Sequence, residues 1–414
     1  MNNTVYILGG HQTDFARNWY REGLEIFDLF KETLEQGLHA TGIDAADVEA
    51  AHVGNFTAEL FCNQGHLGGF FAEANPKMAG IATGRHEAAC ASSSIAMMAA
   101  SAEIEAGRYG LVAVLGIEIM RNVPGDQAAL NIGGPAMWAG HECQDIKYPW
   151  PHMFSTLGQE YQRRYGLKYE HLAGIADINF ANARKNPNSQ TRKWAFTPES
   201  FTENDEANPV IDGIIRRQDC GQVTDGAAIV FLANERTAEK YAKQHNIALS
   251  DIPRIKGWGH RTAAISYASK IAEGTTTNSP YIFPHVHAAI QDALGRAGCK
   301  DVFDLDAIET HDCFTTTEYM AIDHFGITAP GESWKAVEDG TISMTGRLPI
   351  NPSGGLIGLG HPVGATGARM VLDAYKQVTG AAGDYQVDGA KNVGTLNIGG
   401  SATTTVSLVI GTGE

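Results

Sequence analysis

Ala88-Ala89-Cys90-Ala91-Ser92-Ser93 is a turn of small residues with a cysteine at its centre, directly before a predicted helix over 92–106. Small neighbours let the backbone turn sharply and let a bulky thioester approach the sulfur. A cysteine packed only for structure needs no such neighbours. The helix that follows directs backbone N–H groups and the positive end of its dipole toward the sulfur, which favours the thiolate. The stretch therefore predicts a reactive thiol.

Two further short segments carry reactive side chains beside small residues. They are His311-Asp312-Cys313-Phe314 and Gly358-Leu359-Gly360-His361-Pro362-Val363-Gly364. Either cysteine alone would be a small buried hydrophobe, which is the commoner fate of a free thiol. One nucleophilic thiol, a second thiol and an imidazole together predict acyl transfer through Cys90, with His361 taking its proton.

The order of sequence blocks along most of the chain resembles that of the thiolases, enzymes that make and break 3-ketoacyl-CoA. The blocks are Val5-Tyr6-Ile7-Leu8-Gly9-Gly10, the turn at Cys90, the stretch HMFSTLGQEY from His152, Asp225-Gly226-Ala227-Ala228, GLGHPVGATGA from Gly358, and Asn397-Ile398-Gly399-Gly400. One block would be weak evidence, whereas the ordered set is specific. The resemblance implies an α/β fold with a five-layered αβαβα core, built from two similar halves.

The sequence differs from most thiolases at two places, and these differences point to one subfamily. Most thiolases carry Asn-Glu-Ala-Phe where this chain has His311-Asp312-Cys313-Phe314, and a cysteine where it has Asn397. This combination resembles the sterol-carrier-protein-type thiolases, in which the HDCF cysteine supplies the acid/base function. The resemblance thus implies that Cys313 moves the proton of the carbon–carbon bond step. We expect no appended lipid-carrier domain.

The same resemblance implies roles for further residues. Backbone N–H groups of Cys90 and Gly399 would hold the oxygen of the tetrahedral intermediate, and His311 with His361 would hold the enolate oxygen. His152, Met153 and Asn397 are expected on the substrate and CoA side of the site. Coenzyme A is expected as a substrate, and no cofactor is expected.

The chain also shows a weak internal duplication. Both units run from an amphipathic helix through a Gly-bearing stop and an acidic turn into a strand, and strand signals lie at 111–117, 227–232, 392–397 and 403–410. We expect a first half of residues 1–120 plus 223–270 and a second half of residues 271–414. Residues 121–222 are rich in Asn, Pro, Gln, Trp and Tyr, and predict an inserted loop domain that recognises CoA and the acyl group.

Composition excludes several classes of protein. The formal net charge of -16 argues against nucleic acid and anionic membrane surfaces as partners. Residues 151–222 are neutral, with nine basic and nine acidic residues, and would repel a polyanion such as CoA least. Six cysteines without a charged and apolar leader predict reduced thiols and a cytoplasmic location.

The sequence argues against a metal site and against a dinucleotide site. His285 and His287 lie two apart at the start of a helix and do not face one another, so we expect no metal. The Gly-rich run over 353–358 leads into the His361 turn and lacks the strand and helix of a dinucleotide motif.

We therefore expect a thiolase, which converts 3-ketoacyl-CoA and CoA to acetyl-CoA and a shortened acyl-CoA. Two alternatives stay open: a ketosynthase-type condensing enzyme, which does not need Cys313, and a non-catalytic lipid-binding or scaffold protein of the thiolase-like group. The resemblance also implies a homodimer or homotetramer. A strand over 111–117, if it lies at a sheet edge, would support association.

Overall fold

The computed structural model describes residues 4–413, in which strands and helices alternate along most of the chain. The strands are β1 (Tyr6–Gln12), β2 (Ala50–Gly54), β3 (Ala82–His86), β4 (Leu111–Glu118), β5 (Val210–Asp212), β6 (Ile215–Arg216), β7 (Gly226–Ala233), β8 (Arg254–Thr262), β9 (Ala307–Thr310), β10 (Asn392–Gly399) and β11 (Thr404–Gly411). The α-helices are α1 (Ile26–Thr41), α2 (Ala58–Cys62), α3 (Phe70–Ala74), α4 (Ser92–Glu105), α5 (Gly125–Gly133), α6 (Pro149–Tyr165), α7 (Tyr169–Ala183), α8 (Glu235–His245), α9 (Tyr267–Thr276), α10 (Pro284–Ala297), α11 (Thr315–Phe325), α12 (Ser333–Glu338) and α13 (Thr366–Thr379).

The main strands form two sheets of the same design. One has the order β3-β2-β4-β7-β1 and the other β8-β11-β10-β9, and a single residue pair, Tyr6 with Arg254, joins them. In each sheet the second strand from the junction is antiparallel to both of its neighbours, and the next two strands are parallel. The duplication predicted from the sequence is thus a repeat of strand order and direction. β8, which precedes the boundary drawn at residue 270, pairs with β11 of the second sheet.

The two sheets lie on either side of a central pair of helices, α4 and α13. One hydrophobic core contains side chains of both helices and of strands from both sheets. The outer face of the first sheet is covered by α1, and that of the second sheet by α10 and α11. These are five layers, as expected. Strands such as β4 and β7 are buried along their whole length, which accounts for their continuous apolar sequence.

Two glycines bring the central helices close to the first sheet. A Cβ at Gly54 would lie 2.3 Å from Cα of Ser93, and one at Gly116 would lie 2.7 Å from Cα of Ala365. A side chain at either position would push the helix start away. Because Ser93 follows Cys90 closely and Ala365 follows His361, the bare glycine backbone of β2 and β4 sets the position of both reactive turns.

The strand over 111–117 lies in the interior of the sheet. β4 lies between β2 and β7, and the edges are β3 and β9. The condition set for residues 111–117 is therefore not met, and this strand gives no support to association. The sequence pattern identifies a buried strand but does not show its position in the strand order of the sheet.

The insertion between β4 and β7 is more helical than its composition suggested. It contains α5, α6, α7 and the hairpin β5–β6, and α6 and α7 pack on α11 of the second half. Tyr161 of α6 donates a hydrogen bond of 2.6 Å to Asp323 of α11. The insertion is thereby fixed over the turn that contains Cys313. Within residues 4–413, no helix combines the length and apolar character needed to cross a membrane.

Glu118, the last residue of β4, fixes the turn after β2 and the turn after His361. Its carboxylate accepts hydrogen bonds from the Asn55 side chain and from the backbone N–H groups of Phe56, Thr57 and Gly364. Burial raises the pKa of Glu118 to about 7, against the lowering effect of the backbone donors. Four donors on two oxygens match an ionised carboxylate.

We predict that Glu118→Gln lowers the free energy of unfolding by about 2–5 kcal/mol, because an amide group faces N–H donors with one acceptor oxygen instead of two. Urea denaturation measures the change. Glu35→Gln on α1 is the matched control, since Glu35 is exposed and its nearest Lys31 nitrogen is 3.9 Å away. That variant should stay within about 0.5 kcal/mol of wild type. Equal denaturation midpoints for the two variants would contradict the role of Glu118.

Candidate functional site

Cys90 lies in a tight turn at the start of α4. The turn comprises Ala89–Ala91, and Ala89 has φ of 49°, a left-handed conformation that a non-glycine residue adopts only when its surroundings hold it there. The Ser92 hydroxyl donates to Ala89 O (2.6 Å) and accepts from Ala88 N (3.0 Å), which closes the turn. The sulfur therefore sits at the amino end of a 14-residue helix.

His361 follows a π-helical turn, Gly355–Leu359, and Gly360, whose φ is 126°. Its Nδ1 lies 2.6 Å from Thr366 Oγ1, and that hydroxyl donates to Pro362 O at 3.1 Å. A hydroxyl that donates to the carbonyl must accept from the ring, so Nδ1 carries the proton. Nε2 then keeps its lone pair, and it has no hydrogen-bond partner among residues 4–413.

His311 comes directly after β9 and is fully buried. Its Nδ1 lies 3.1 Å from the Asn397 side-chain nitrogen, and its Nε2 lacks a hydrogen-bond partner within the described chain. The next residue, Asp312, accepts hydrogen bonds from the backbone N–H groups of Leu356 (2.6 Å) and Ile357 (3.3 Å). This carboxylate ties the turn of His311 to the turn that leads to His361.

The structure brings four of the predicted residues together. The Cys90 sulfur and one ring nitrogen each of His311 and His361 lie within 4.8 Å of one another. Cys90, Cys313 and His361 line one cavity of about 340 Å³, whose other walls are mainly apolar and include Trp150. One nucleophile, one second thiol and two imidazoles thus share one site.

The dry surroundings keep these groups neutral. Burial raises the pKa of Cys90 to about 12, although backbone N–H groups of Gly400 and of Cys90 itself act in the opposite direction. Burial also raises the pKa of Cys313 well above its usual value and lowers that of His361 to about 3. The pKa of His311 is held well below its usual value by burial and by the neighbouring His361. The resting pair at Cys90 is thiol and imidazole, not thiolate and imidazolium.

Two glycines of the closing turn, Gly399 and Gly400, lie close to the Cys90 turn. Gly400 lines the cavity, and its backbone N–H acts to lower the pKa of Cys90. Gly399 packs beneath the Cys90 turn, where a Cβ would lie 2.2 Å from Ala88 O. Glycine at 399 permits this backbone contact, and Gly400 supplies the polar group.

The residues predicted on the substrate side lie just outside the cavity. His152 is paired with Asp212, at 3.2 Å, and Met153 is buried in the core between the insertion and the second half. On the same helix, Trp150 and Phe154 line the cavity. Asn397 is buried and bonded to His311.

Sequence reasoning missed a set of buried polar residues behind the site. Asn179 of the insertion donates to both Asp312 (3.0 Å) and Glu318 (2.6 Å). Burial raises the pKa of Asp312 to about 6 and that of Glu318 well above its usual value. Arg369 of α13 is paired with Glu309 at 2.8 Å. Acidic residues in apolar segments were a signal, but their partners are too distant in sequence to identify.

Two groups of residues could be considered as metal ligands. His285 and His287 each donate a hydrogen bond of 2.8 Å from a ring nitrogen to a backbone carbonyl oxygen, that of Ala402 and that of His324. The cluster of Cys90, His311 and His361 could hold a metal ion, because one thiol and two neutral imidazoles are ligands that zinc accepts. The same three groups are also those that acyl transfer requires.

Most of the chain matches two described families. Residues 5–236 match the family described as thiolase, N-terminal domain, and residues 269–412 match the thiolase C-terminal domain-like family. An acetyl-CoA acetyltransferase of Methanothermobacter thermautotrophicus is 30% identical over 400 residues, which cover 97% of each chain. Sterol carrier protein 2 of Gallus gallus is 28% identical, and the match covers 99% of this chain and 72% of that protein. The solved structure "Ltp2-ChsH2(DUF35) aldolase" superposes with a TM-score of 0.76 at 19% identity, covering 99% of this chain and 98% of the other.

The neutral state of Cys90 predicts a pH dependence that an ion pair would not give. Because only the thiolate reacts and its pKa is raised, alkylation of Cys90 by iodoacetamide should accelerate about tenfold per pH unit from about pH 6 to 9. Peptide mass spectrometry separates Cys90 from the other five cysteines. A rate that is high and flat around neutrality would show a preformed thiolate–imidazolium pair instead.

Proposed function

The chain belongs to the thiolase family, and we propose that it uses Cys90, His361 and Cys313 to cleave 3-ketoacyl-CoA reversibly with free CoA. It is an acyltransferase of the acetyl-CoA acetyltransferase kind. The observation that carries the assignment of roles is the cavity that these three side chains line together.

In the proposed acylation step, His361 Nε2 takes the proton of Cys90 and the sulfur attacks the 3-keto carbon. The lone pair on that nitrogen, and a ring nitrogen of His361 within 4.8 Å of the sulfur, support this role. The oxygen of the tetrahedral intermediate would accept from the backbone N–H groups of Cys90 and Gly400. Gly400 replaces Gly399 in the proposal because it lines the cavity and its N–H acts to lower the pKa of Cys90.

In the carbon–carbon bond step, the bond between C2 and C3 breaks and its electrons form the enolate of acetyl-CoA. The Cys313 thiol gives its proton to C2, and the enolate oxygen accepts a hydrogen bond from His311. Cys313 thiolate then takes the proton of free CoA, whose sulfur attacks acyl-Cys90 and releases the shortened acyl-CoA. His361 returns its proton to Cys90. Protein side chains supply all of these steps, so CoA enters as a substrate and the proposal needs no cofactor.

A second cavity supports the binding of CoA. It measures about 500 Å³, includes Trp194, Phe196 and Arg217, and shares Gln222 with the cavity at Cys90. Arg217 donates to Ala207 O, and within the described residues it forms no ion pair with a carboxylate. Its charge is available for a phosphate, and an aromatic ring can stack on adenine. We propose that the nucleotide part of CoA binds here.

The ketosynthase alternative has one observation in its favour, since Cys90 is grouped with two histidines. The position of Cys313 in the same cavity favours the thiolase mechanism, which needs the second thiol. Cleavage of 3-ketoacyl-CoA that depends on free CoA separates the two. A non-catalytic scaffold would form no acyl-enzyme, and the presence of both thiols and His361 argues against it.

Assembly and location complete the proposal. We propose a homodimer or homotetramer in which the edge strand β3 pairs with a second copy, because its free edge is a template for another strand. Sedimentation equilibrium measures this directly. The six free cysteines support a cytoplasmic location, and the charge of -16 disfavours nucleic acid and anionic membranes as partners.

Replacing the second thiol should separate the two halves of the reaction. We predict that Cys313→Ala still forms acyl-Cys90 from an acyl-CoA, seen as an added mass on the intact protein, whereas Cys90→Ala forms none. Exchange of the alpha protons of acetyl-CoA with solvent should slow about 10²- to 10⁴-fold, because the acid/base group is lost. Cys299→Ala, at a half-buried thiol outside the site, is the control. Wild-type exchange in Cys313→Ala would remove Cys313 from the mechanism.

Arg217→Ala should raise KM for CoA about three- to tenfold with little change in kcat, because one charged contact to phosphate is lost. An N-acetylcysteamine thioester, which lacks the nucleotide, should acylate Cys90 equally well in the variant and in wild type. Arg236→Ala removes the same charge from an exposed position on α8 and should change neither value. An unchanged KM for CoA in Arg217→Ala would place the nucleotide elsewhere.

A further inference from the structure

We infer that Asn397, together with Ser94, fixes the proton of His311 on Nε2 and so makes this histidine a hydrogen-bond donor to the substrate oxygen. Asn397 is then a positioning residue, which acts through His311. The inference rests on the proposed function in one respect, which is that the substrate oxygen is the enolate oxygen of acetyl-CoA.

The sheet places Asn397 beside His311. β10 and β9 are parallel, and the last residue pair between them is Leu396 with Thr310. Asn397 and His311 directly follow these two residues, so they lie side by side. Asn397 is 2% exposed and His311 is fully buried. Water is therefore a poor substitute partner for the ring, and the amide decides which ring nitrogen carries the proton.

The orientation of the amide follows from its other contacts. The Ser94 hydroxyl donates to Asn397 Oδ1 at 2.7 Å. Oδ1 also lies against Gly367, where a Cβ would be 2.8 Å away. Ser94 and Gly367 are in the first turns of α4 and α13, and the positive ends of two helix dipoles favour an acceptor oxygen at this point.

With the oxygen held there, the amide nitrogen faces His311. The Asn397 Nδ2 group lies 3.1 Å from His311 Nδ1, and an amide N–H can only donate. Nδ1 must therefore accept, which leaves the proton of the neutral ring on Nε2. That atom is buried and has no hydrogen-bond partner in residues 4–413. It is a donor held ready for an oxygen that the protein itself does not supply.

The two imidazoles are thus held in opposite states. Thr366 fixes the proton of His361 on Nδ1 and leaves Nε2 as a base, whereas Asn397 fixes that of His311 on Nε2. Their rings meet edge to face with centroids 5.3 Å apart. This assigns proton removal to one ring and oxygen stabilisation to the other. A cysteine at position 397 would be a weaker donor to Nδ1.

Nitrogen-15 NMR of protein labelled at histidine tests the tautomer directly in the wild type. His311, assigned by comparison with His311→Gln, should show a protonated Nε2 and an unprotonated Nδ1. A wild-type spectrum with the proton on Nδ1 would overturn the inference, whatever activity the enzyme has. A protonated Nε2 in an enzyme without thiolase activity would support the tautomer and defeat the proposed function instead.

Asn397→Asp tests the consequence, because a carboxylate of nearly the same shape accepts where the amide donates. We expect the proton of His311 to move to Nδ1 and the alpha-proton exchange of acetyl-CoA to slow about 10²- to 10³-fold, as when one oxyanion donor is removed. Alkylation of Cys90 by iodoacetamide should stay within about twofold of wild type. Asn246→Asp, which adds the same charge at an exposed position after α8, should behave as wild type.

Two kinetic outcomes decide the role. Wild-type exchange in Asn397→Asp, with the tautomer changed, would show that His311 does not hold the enolate oxygen. Equal loss of exchange and of Cys90 alkylation would show a general disturbance of the site, and would overturn the positioning role. A loss confined to exchange supports it.

Discussion

The site depends on the meeting of two helix starts between two sheets. Cys90 lies just before α4 and His361 lies just before α13. The starts of both helices pack against glycine backbone of the first sheet. Each half of the duplicated fold supplies one of them, so neither half holds a complete site. The thiol of one half and the imidazole of the other lie close together because the layers of the fold pack closely.

Buried carboxylates hold these turns in register. Glu118 joins the turn after β2 to the turn after His361, and Asp312 joins the turn of His311 to the one before His361. Each carboxylate accepts several backbone N–H groups, which satisfies donors that irregular chain would otherwise bury unpaired. The cost of burying these charges is offset by hydrogen bonds that only one arrangement of the turns provides.

The apolar cavity has a consequence for the chemistry. Because the cavity disfavours ions, the thiols and imidazoles are all neutral in the resting site. Which groups act as base and as donor then depends on which ring nitrogen of each histidine carries the proton. Thr366 and Asn397 determine this by fixing opposite tautomers of His361 and His311. Charge then forms only when substrate is bound, at positions where a donor already stands.

The sequence by itself determined the reactive turns at Cys90, Cys313 and His361, the two similar halves and the family, because short motifs and strand periodicity are local properties of the chain. Tertiary structure alone decided the interior place of β4 and the packing of the insertion on the second half. The same holds for the role of Asn397, since Ser94 is 303 residues away from it. The direction of a hydrogen bond depends on which groups are in contact in the folded protein, and the spacing of residues in the sequence does not show which groups these are.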